Sequence, residues 1–248
     1  MKRSLSYILL GLFAYGVFMI LQLPAAALLA WNPPPWPNMR IQSVQGLAIQ
    51  GSAQSVQWDT LTFDKATWKL RFAALLLGNI ELAVDLYHPV RRLTGTVAMG
   101  LDRQLRLGPL NGYLPLSDWH SVLRLPVGGG LELNDLRLRL NPNGYPLAVQ
   151  GTVLLSALRV PLAQIIELGD YQVAFSTRDD TISGLIRDQG GPIQLTGSLT
   201  LTPDGRYRLT SQLAVRDNNQ PVEQALSLLG QPDQDGVRTI DLTGKLRF

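Results

Sequence analysis

Two hydropathy patterns divide the chain. Residues 5–29 read LSYILLGLFAYGVFMILQLPAAALL, and no Asp, Glu, Lys or Arg falls between Arg3 and Arg40. From Ile41 onward the apolar residues alternate with others instead. Ile80-Glu-Leu82-Ala-Val84-Asp-Leu86 keeps period two, and so do Ile193, Leu195, Gly197, Leu199 and Leu201. The same holds for Tyr207, Leu209, Ser211, Leu213 and Val215, and for Ile240, Leu242, Gly244, Leu246 and Phe248. Successive strand side chains point to opposite faces, so each run predicts a strand with one apolar and one wetter face. Antiparallel sheets carry that pattern.

Turn chemistry supports the strands. Thr-Pro-Asp-Gly-Arg between Leu201 and Tyr207 joins a preset φ to a side-chain acceptor and a glycine, which predicts a hairpin. Leu140-Asn-Pro-Asn-Gly-Tyr145 repeats the device between runs at 131–140 and 145–155. In the first of these runs, Leu131 and Leu133 are out of phase with Leu136, Leu138 and Leu140. One extra residue at Asn134-Asp135, a bulge, restores both sets to one face. Four strands share the motif apolar-x-Gly-x-apolar, at Gly95, Gly151, Gly197 and Gly244, with spacings of 56, 46 and 47 residues. Glycine on the apolar phase marks a bend, a bulge or a close backbone approach, and here it predicts a strongly curled sheet.

Helical signals in this part are few. Residues 161–168 and 221–229 each open with proline at a plausible first helical position and stop at glycine, Gly169 and Gly230. Residues 73–77 form a third short helix or a strand. The predicted fold is mainly β: a curved, twisted antiparallel sheet with two or three short helices, preceded by one transmembrane helix.

The transmembrane reading rests on the first run. A bilayer core needs roughly 20 apolar residues in helical form. Residues 5–23 nearly supply them without proline, and Pro24 bends or ends the helix. Leu5, Ile8, Leu12, Phe13, Phe18, Ile20 and Leu23 are the lipid-facing candidates. Lys2 and Arg3 place the N-terminus in the cytoplasm and the rest on the far side. The chain divides accordingly into a cytoplasmic tip (1–4), an anchor (5–30), a linker (31–39) and an exported β domain (40–248). The linker, WNPPPWPNM, carries four prolines and is a stiff spacer. Trp31 and Trp36 suit an interfacial belt or packing on the domain. A cleavable signal peptide is the alternative, given Ala25-Ala26-Ala27. The apolar run is longer than such peptides use, and more apolar residues follow the alanines.

Composition adds mostly exclusions. The formal charge is +3, two of it from Lys2 and Arg3, so the exported part is nearly balanced and does not suit nucleic acid. Cysteine is absent, which removes disulfides, thiol nucleophiles and thiolate ligands. His88 and His120 stand apart from other ligand types and read as turn or surface residues. Asp233-Gln-Asp-Gly236 reads as a turn rather than a calcium loop. Asp179-Asp180 and Arg187-Asp188 read as solvated turn charges. No phosphate loop, nucleophile elbow or zinc spacing occurs. No catalytic residue, metal site or cofactor is expected, and the chain is not expected to be an enzyme.

The order of landmarks resembles the type II secretion system protein N family. It runs from the basic-tipped apolar segment through Val44-Gln-Gly46, Gly51-Ser-Ala53, Trp58, Trp68-Lys-Leu70 and Ala74-Leu-Leu-Leu-Gly78. Leu168-Gly-Asp-Tyr171, Asp188-Gln-Gly-Gly-Pro192, Leu201-Thr-Pro-Asp-Gly-Arg-Tyr207 and Leu229-Gly-Gln-Pro-Asp-Gln-Asp-Gly236 follow, before a final Gly-Lys-Leu strand. Family members tend to carry Trp-Ser-Gly where Ala48-Ile-Gln-Gly51 stands here. The resemblance implies a single-pass protein of the bacterial inner membrane, with a periplasmic β domain that supports assembly or function of the machinery. Its partners would be other envelope components of that system and inner-membrane lipid. A homo-oligomer through sheet edges is a further possibility. Leu246, Arg247 and Phe248 are the candidate strand-edge contacts, because an edge strand offers unpaired backbone groups. More distantly the glycine-bearing strands resemble AsmA-like proteins, which implies the alternative of lipid binding or transfer in an apolar groove.

Overall fold

A computed structural model of the chain describes residues 7, 11–12, 15–16, 18–19, 21–31, 39–58, 61–119, 127–161, 165–217, 220–227 and 231–245. Thirteen strands form one sheet whose spatial order is the chain order. They are β1 (Met39–Leu47), β2 (Gln50–Trp58), β3 (Leu61–Leu70), β4 (Asn79–His88), β5 (Arg91–Gly100), β6 (Leu105–Pro115) and β7 (Gly128–Leu140). Then come β8 (Pro146–Pro161), β9 (Ile165–Arg178), β10 (Thr181–Asp188), β11 (Ile193–Leu201), β12 (Arg206–Val215) and β13 (Val237–Lys245). The short helices are α1 (Ala25–Trp31), α2 (Phe72–Leu75), a 3-10 turn (Leu116–Trp119) and α3 (Gln220–Ser227).

The register explains the period-two pattern. One row of directly paired residues crosses the sheet from β2 to β13: Ala53, Ala66, Leu86, Leu93, Gly112, Leu133, Val153, Val173, Ile186, Gly197, Ser211 and Ile240. Eleven of the twelve are apolar or glycine, so a single face is apolar along the whole sheet. The neighbouring row on the other face runs Arg92, Tyr113, Glu132, Leu154, Gln172, Arg187, Thr196, Gln212 and Thr239. Among the described residues no second sheet covers either face, and no large side chain is buried completely.

The curl has local causes. At Asp135 (φ 51°) β7 takes one extra residue, and the pairing with β8 slips between Asn134 and Arg137. The Asp135 N–H, freed from the ladder, donates to Asn111 Oδ1 at 2.9 Å. Both leucine sets then share the apolar face, as the phase change predicts. Gly151 lies opposite with φ +125°, where a Cβ would meet the Asp135 carbonyl at 2.6 Å. Gly244 serves differently: the ring of Tyr207 lies where its Cβ would be, at 2.6 Å. The hairpin at 202–205 forms as predicted, with Leu201 opposite Tyr207 and the Thr202 N–H donating to the Arg206 carbonyl at 2.9 Å.

Two expectations need correction. The segment predicted as a helix over 161–168 is strand at both ends: Pro161 ends β8, Ile165–Leu168 open β9, and Val160 pairs with Ile166, while 162–164 lie outside the described residues. Ile165 and Ile166 are β-branched, and Ile166 is needed on the apolar face, where it is 6% exposed. Tertiary pairing overrides the proline signal. Asp188 is not a solvated turn charge either: its side chain is 10% exposed and meets Arg216 at 2.7 Å. Of the two alternatives for 73–77 the helix is found, as α2; the helix expected over 221–229 is α3 as far as the described residues run, and Asp179-Asp180 is an exposed turn between β9 and β10.

Candidate functional site: the open edge and the apolar face

The two edges of the sheet differ. Leu47 at the end of β1 bridges Pro24, and the Ala48 N–H donates to the Leu23 carbonyl at 2.8 Å. Pro24 then starts α1, accepting from the N–H groups of Ala27 and Leu28, and Ala25 is buried. The chain's own N-terminal segment thus covers that edge at its Leu47 end; along the rest of β1 no further strand pairs among the described residues. β13 pairs with β12, and its other side takes no strand among the described residues. The predicted contacts Leu246, Arg247 and Phe248 continue this edge strand but lie outside the described residues. Charges on β13 (Arg238, Asp241, Lys245) resist indiscriminate pairing without closing the edge.

Beside the open edge, α3 lies over the apolar face. Val222 and Leu226, four residues apart on one side of the helix, join Ile166 and Ile193 in a buried cluster flanked by Leu168, Leu213 and Val215. Arg238 shares the apolar phase of β13 and is 4% exposed; its guanidinium meets Glu223 of α3. Sequence reading missed this pair, although an arginine in phase with Ile240 and Leu242 was a visible signal. Away from α3 the apolar row has no helix over it among the described residues.

Of the anchor candidates, Leu12 and Phe18 are helical and exposed. Leu23 gives its carbonyl to the sheet, and Leu5, Ile8, Phe13 and Ile20 lie outside the described residues. Among the described residues no helix is long and apolar enough to cross a membrane. Trp31 is 85% exposed. Trp36 and His120 lie outside the described residues.

No reactive constellation assembles among the described residues, where no group of three or more His, Cys, Asp or Glu side chains could hold a metal ion. His88 ends β4 at the mouth of a turn, its Nδ1 accepting from the Val90 N–H at 3.3 Å. A shallow hollow of about 840 Å3 near β1–β6 offers one carboxylate, Asp85, which Arg92 occupies at 2.7 Å. Asp188 and Tyr171 are perturbed, but for structural reasons. Burial would raise the Asp188 carboxyl; the Arg216 hydrogen bond and the N–H groups of Leu195 and Gly190 outweigh it and hold it below the usual range. Burial, with the Asp188 charge beside it, pushes the Tyr171 phenol up to about 12. Its hydroxyl donates to the Leu168 carbonyl.

Thirteen sequential antiparallel strands in one layer place the chain in the class of one-sheet β-meander scaffolds. The comparisons give the class a family. Residues 37–241 match the family model described as type II secretion system (T2SS), protein N, and the chain belongs to that family. It is 26% identical over 240 residues to the type II secretion system protein N of Pectobacterium carotovorum subsp. carotovorum, covering 94% of each chain. It is also 26% identical over 261 aligned positions to the protein of the same name from Vibrio cholerae serotype O1, covering 99% of this chain and 100% of that one. No solved structure matches.

Proposed function

We propose that this chain is an inner-membrane component of the type II secretion system that works through protein–protein contacts made by its open sheet edge. Residues 5–23 hold it in the membrane with the N-terminus in the cytoplasm, and the sheet stands in the periplasm. The observation that carries the reading is a difference between the edges in a member of this family: β1 holds the N-terminal segment at its Leu47 end, and β13 takes no further strand among the described residues. An added strand at β13 would gain main-chain hydrogen bonds at little conformational cost. No chemistry is needed for such a role. The test is photo-crosslinking in intact cells from positions 241 and 247, with Thr196, mid-sheet, as the control. Adducts to another envelope component of the secretion machine from the edge positions are expected. Adducts to lipid alone, or equal yields from Thr196, overturn the edge reading. A reporter fused after Phe248 that is active only in the cytoplasm overturns the topology.

A second reading rests on the apolar row. It spans twelve strands, and a strand spacing of about 4.8 Å makes it roughly 50 Å long. Where neither α3 nor the curl of the sheet closes over it, such an apolar row suits an acyl chain. Delipidated protein that takes up neither phospholipid nor an apolar dye excludes this reading.

A further inference from the structure

The rim of the sheet where the N-terminal segment joins is made of six connections: 47–50, 70–79, 100–105, 140–146, 178–181 and 201–206. They differ sharply in character. Around 70–79 and 100–105, Phe72 is 53% exposed, Leu75 43%, Leu76 90%, Leu77 80% and Leu101 92%. Ile80 and Met99, paired across β4 and β5, continue the patch at 59% and 51% exposure. Gly78 and Leu101 are neighbours, since a Cβ on Gly78 would meet Leu101 at 3.6 Å, so the two connections make one apolar tip. The three connections farther along the rim carry Asn141-Pro-Asn-Gly, Arg178-Asp-Asp and Thr202-Pro-Asp-Gly-Arg instead. These act as an internal control: being a turn on this rim does not require leucines.

What separates the apolar tip from the polar ones is its distance from the N-terminal run. The Leu23 carbonyl accepts from Ala48, and the next residue, Ile49, accepts from the Leu70 N–H at 2.7 Å. Leu70 leads directly into the tip. With strands about 4.8 Å apart, the 70–79 part of the tip lies roughly 10–15 Å along the rim from Leu23 and the Leu101 part about 20–25 Å. Basic residues ring it. Lys69, Arg71, Arg103 and Arg106 face two acidic residues, Glu81 and Asp102, which pair with Arg71 and Arg106. An apolar tip within a cationic collar complements a bilayer surface with anionic headgroups.

From this we infer that Phe72, Leu75, Leu76, Leu77 and Leu101 dip into the outer leaflet of the same membrane, a second contact that fixes the sheet's tilt on its anchor. The inference rests on the anchor reading above. A helix alone does not set the tilt of the sheet on the membrane. A lipid-seated tip beside it leaves the β13 edge and the polar tips turned away from the bilayer.

The absence of cysteine makes the test direct. The full chain, carrying Leu76→Cys or Leu101→Cys with an environment-sensitive fluorophore, is reconstituted in phosphatidylethanolamine–phosphatidylglycerol vesicles. Asn143→Cys and Asp204→Cys report the polar tips, and Leu12→Cys reports the anchor. Quenching by lipid-attached nitroxide is expected at positions 12, 76 and 101. Iodide quenching at 76 and 101 is expected to fall about threefold or more below that at 143 and 204. If position 12 is lipid-quenched while 76 and 101 are as open to iodide as 143, the tip contact is wrong and the anchor stands. If position 12 is not lipid-quenched, the anchor reading falls and the inference with it. Shielding of 76 and 101 from both quenchers means a protein covers the tip and overturns the membrane contact.

Discussion

On the β3–β7 side of the sheet the apolar face is covered by the sheet itself, whereas on the β9–β13 side it is covered by a helix. Leu61 and Phe63 of β3 pack with Leu114 of β6, with Leu86 and Leu131 against them. In a flat sheet β3 and β6 would stand about 14 Å apart. Contact between their side chains therefore requires the strands to roll toward one another. Near β9–β13 the partners of Ile166 and Ile193 come from α3, through Val222 and Leu226. A single sheet has to shelter its apolar face by curling or by borrowing a lid. The two devices differ in cooperativity. A curl ties non-neighbouring strands together, whereas a lid can lift without breaking the ladder beneath it.

Phe63→Ala is the strongest test of this contrast. Phe63 is 3% exposed, and loss of a buried phenylalanine costs about 3–5 kcal/mol. The expected result is faster amide exchange across β2–β7, with β10–β13 retaining protection. A uniform rise over all thirteen strands would mean that the sheet is one cooperative unit and the two sides are not separate.

Leu226→Ala probes the lid. It is 5% exposed, and its truncation is expected to cost about 2–4 kcal/mol. Here the loss should appear as exchange within 220–227 and as uptake of an apolar dye, while β11–β13 stay protected. Unfolding of those strands would show that α3 is part of their core and not a cover.

The Arg238–Glu223 pair pins the lid to the open edge. Arg238→Ala leaves Glu223 without this partner and is expected to cost about 1–3 kcal/mol. Arg238→Met keeps the stem on the apolar face and should cost less, as measured by denaturant unfolding. Equal losses would assign the whole effect to the pair with Glu223, and no loss in Arg238→Met would assign Arg238 a packing role only.

The two regions were not equally legible in sequence. The strands, the hairpin at 202–205, the bulge at Asn134-Asp135 and the helix over 220–227 were readable because each is written locally, in period and turn chemistry. The family resemblance was readable for the same reason. The contact of Phe63 with Leu114 was not, because curl depends on register slips summed over several strands. The segment 161–168 misled because proline and glycine can frame a helix or flank strand residues, and Ile166's place beneath α3 puts it in a strand. The period-two run from Ile240 made β13 legible as a strand. The cover at the Leu47 end of β1 was not legible, since nothing local couples Leu23 to Ala48.

Asp188 sharpens the comparison at its smallest scale, because it ties the end of β10 to the segment that leads into the lid. Its carboxylate takes Arg216 and the N–H groups of Leu195 and Gly190. The folded-state pKa is lowered, so the folded protein binds that proton less readily than the unfolded chain. The stabilisation is therefore present above the ordinary carboxylate pKa of about 4, and it is lost as pH falls below it. Asp188→Asn retains an acceptor oxygen but not the charge, and near neutral pH it is expected to cost on the order of 1 kcal/mol. The gap between parent and variant should close as the pH drops through the carboxylate range. The substitution also removes a negative charge beside Tyr171 and should bring that phenol down from about 12. If the gap persists at low pH, Asp188 acts by shape alone; if Leu226→Ala erases it, the carboxylate stabilises the lid and not the sheet.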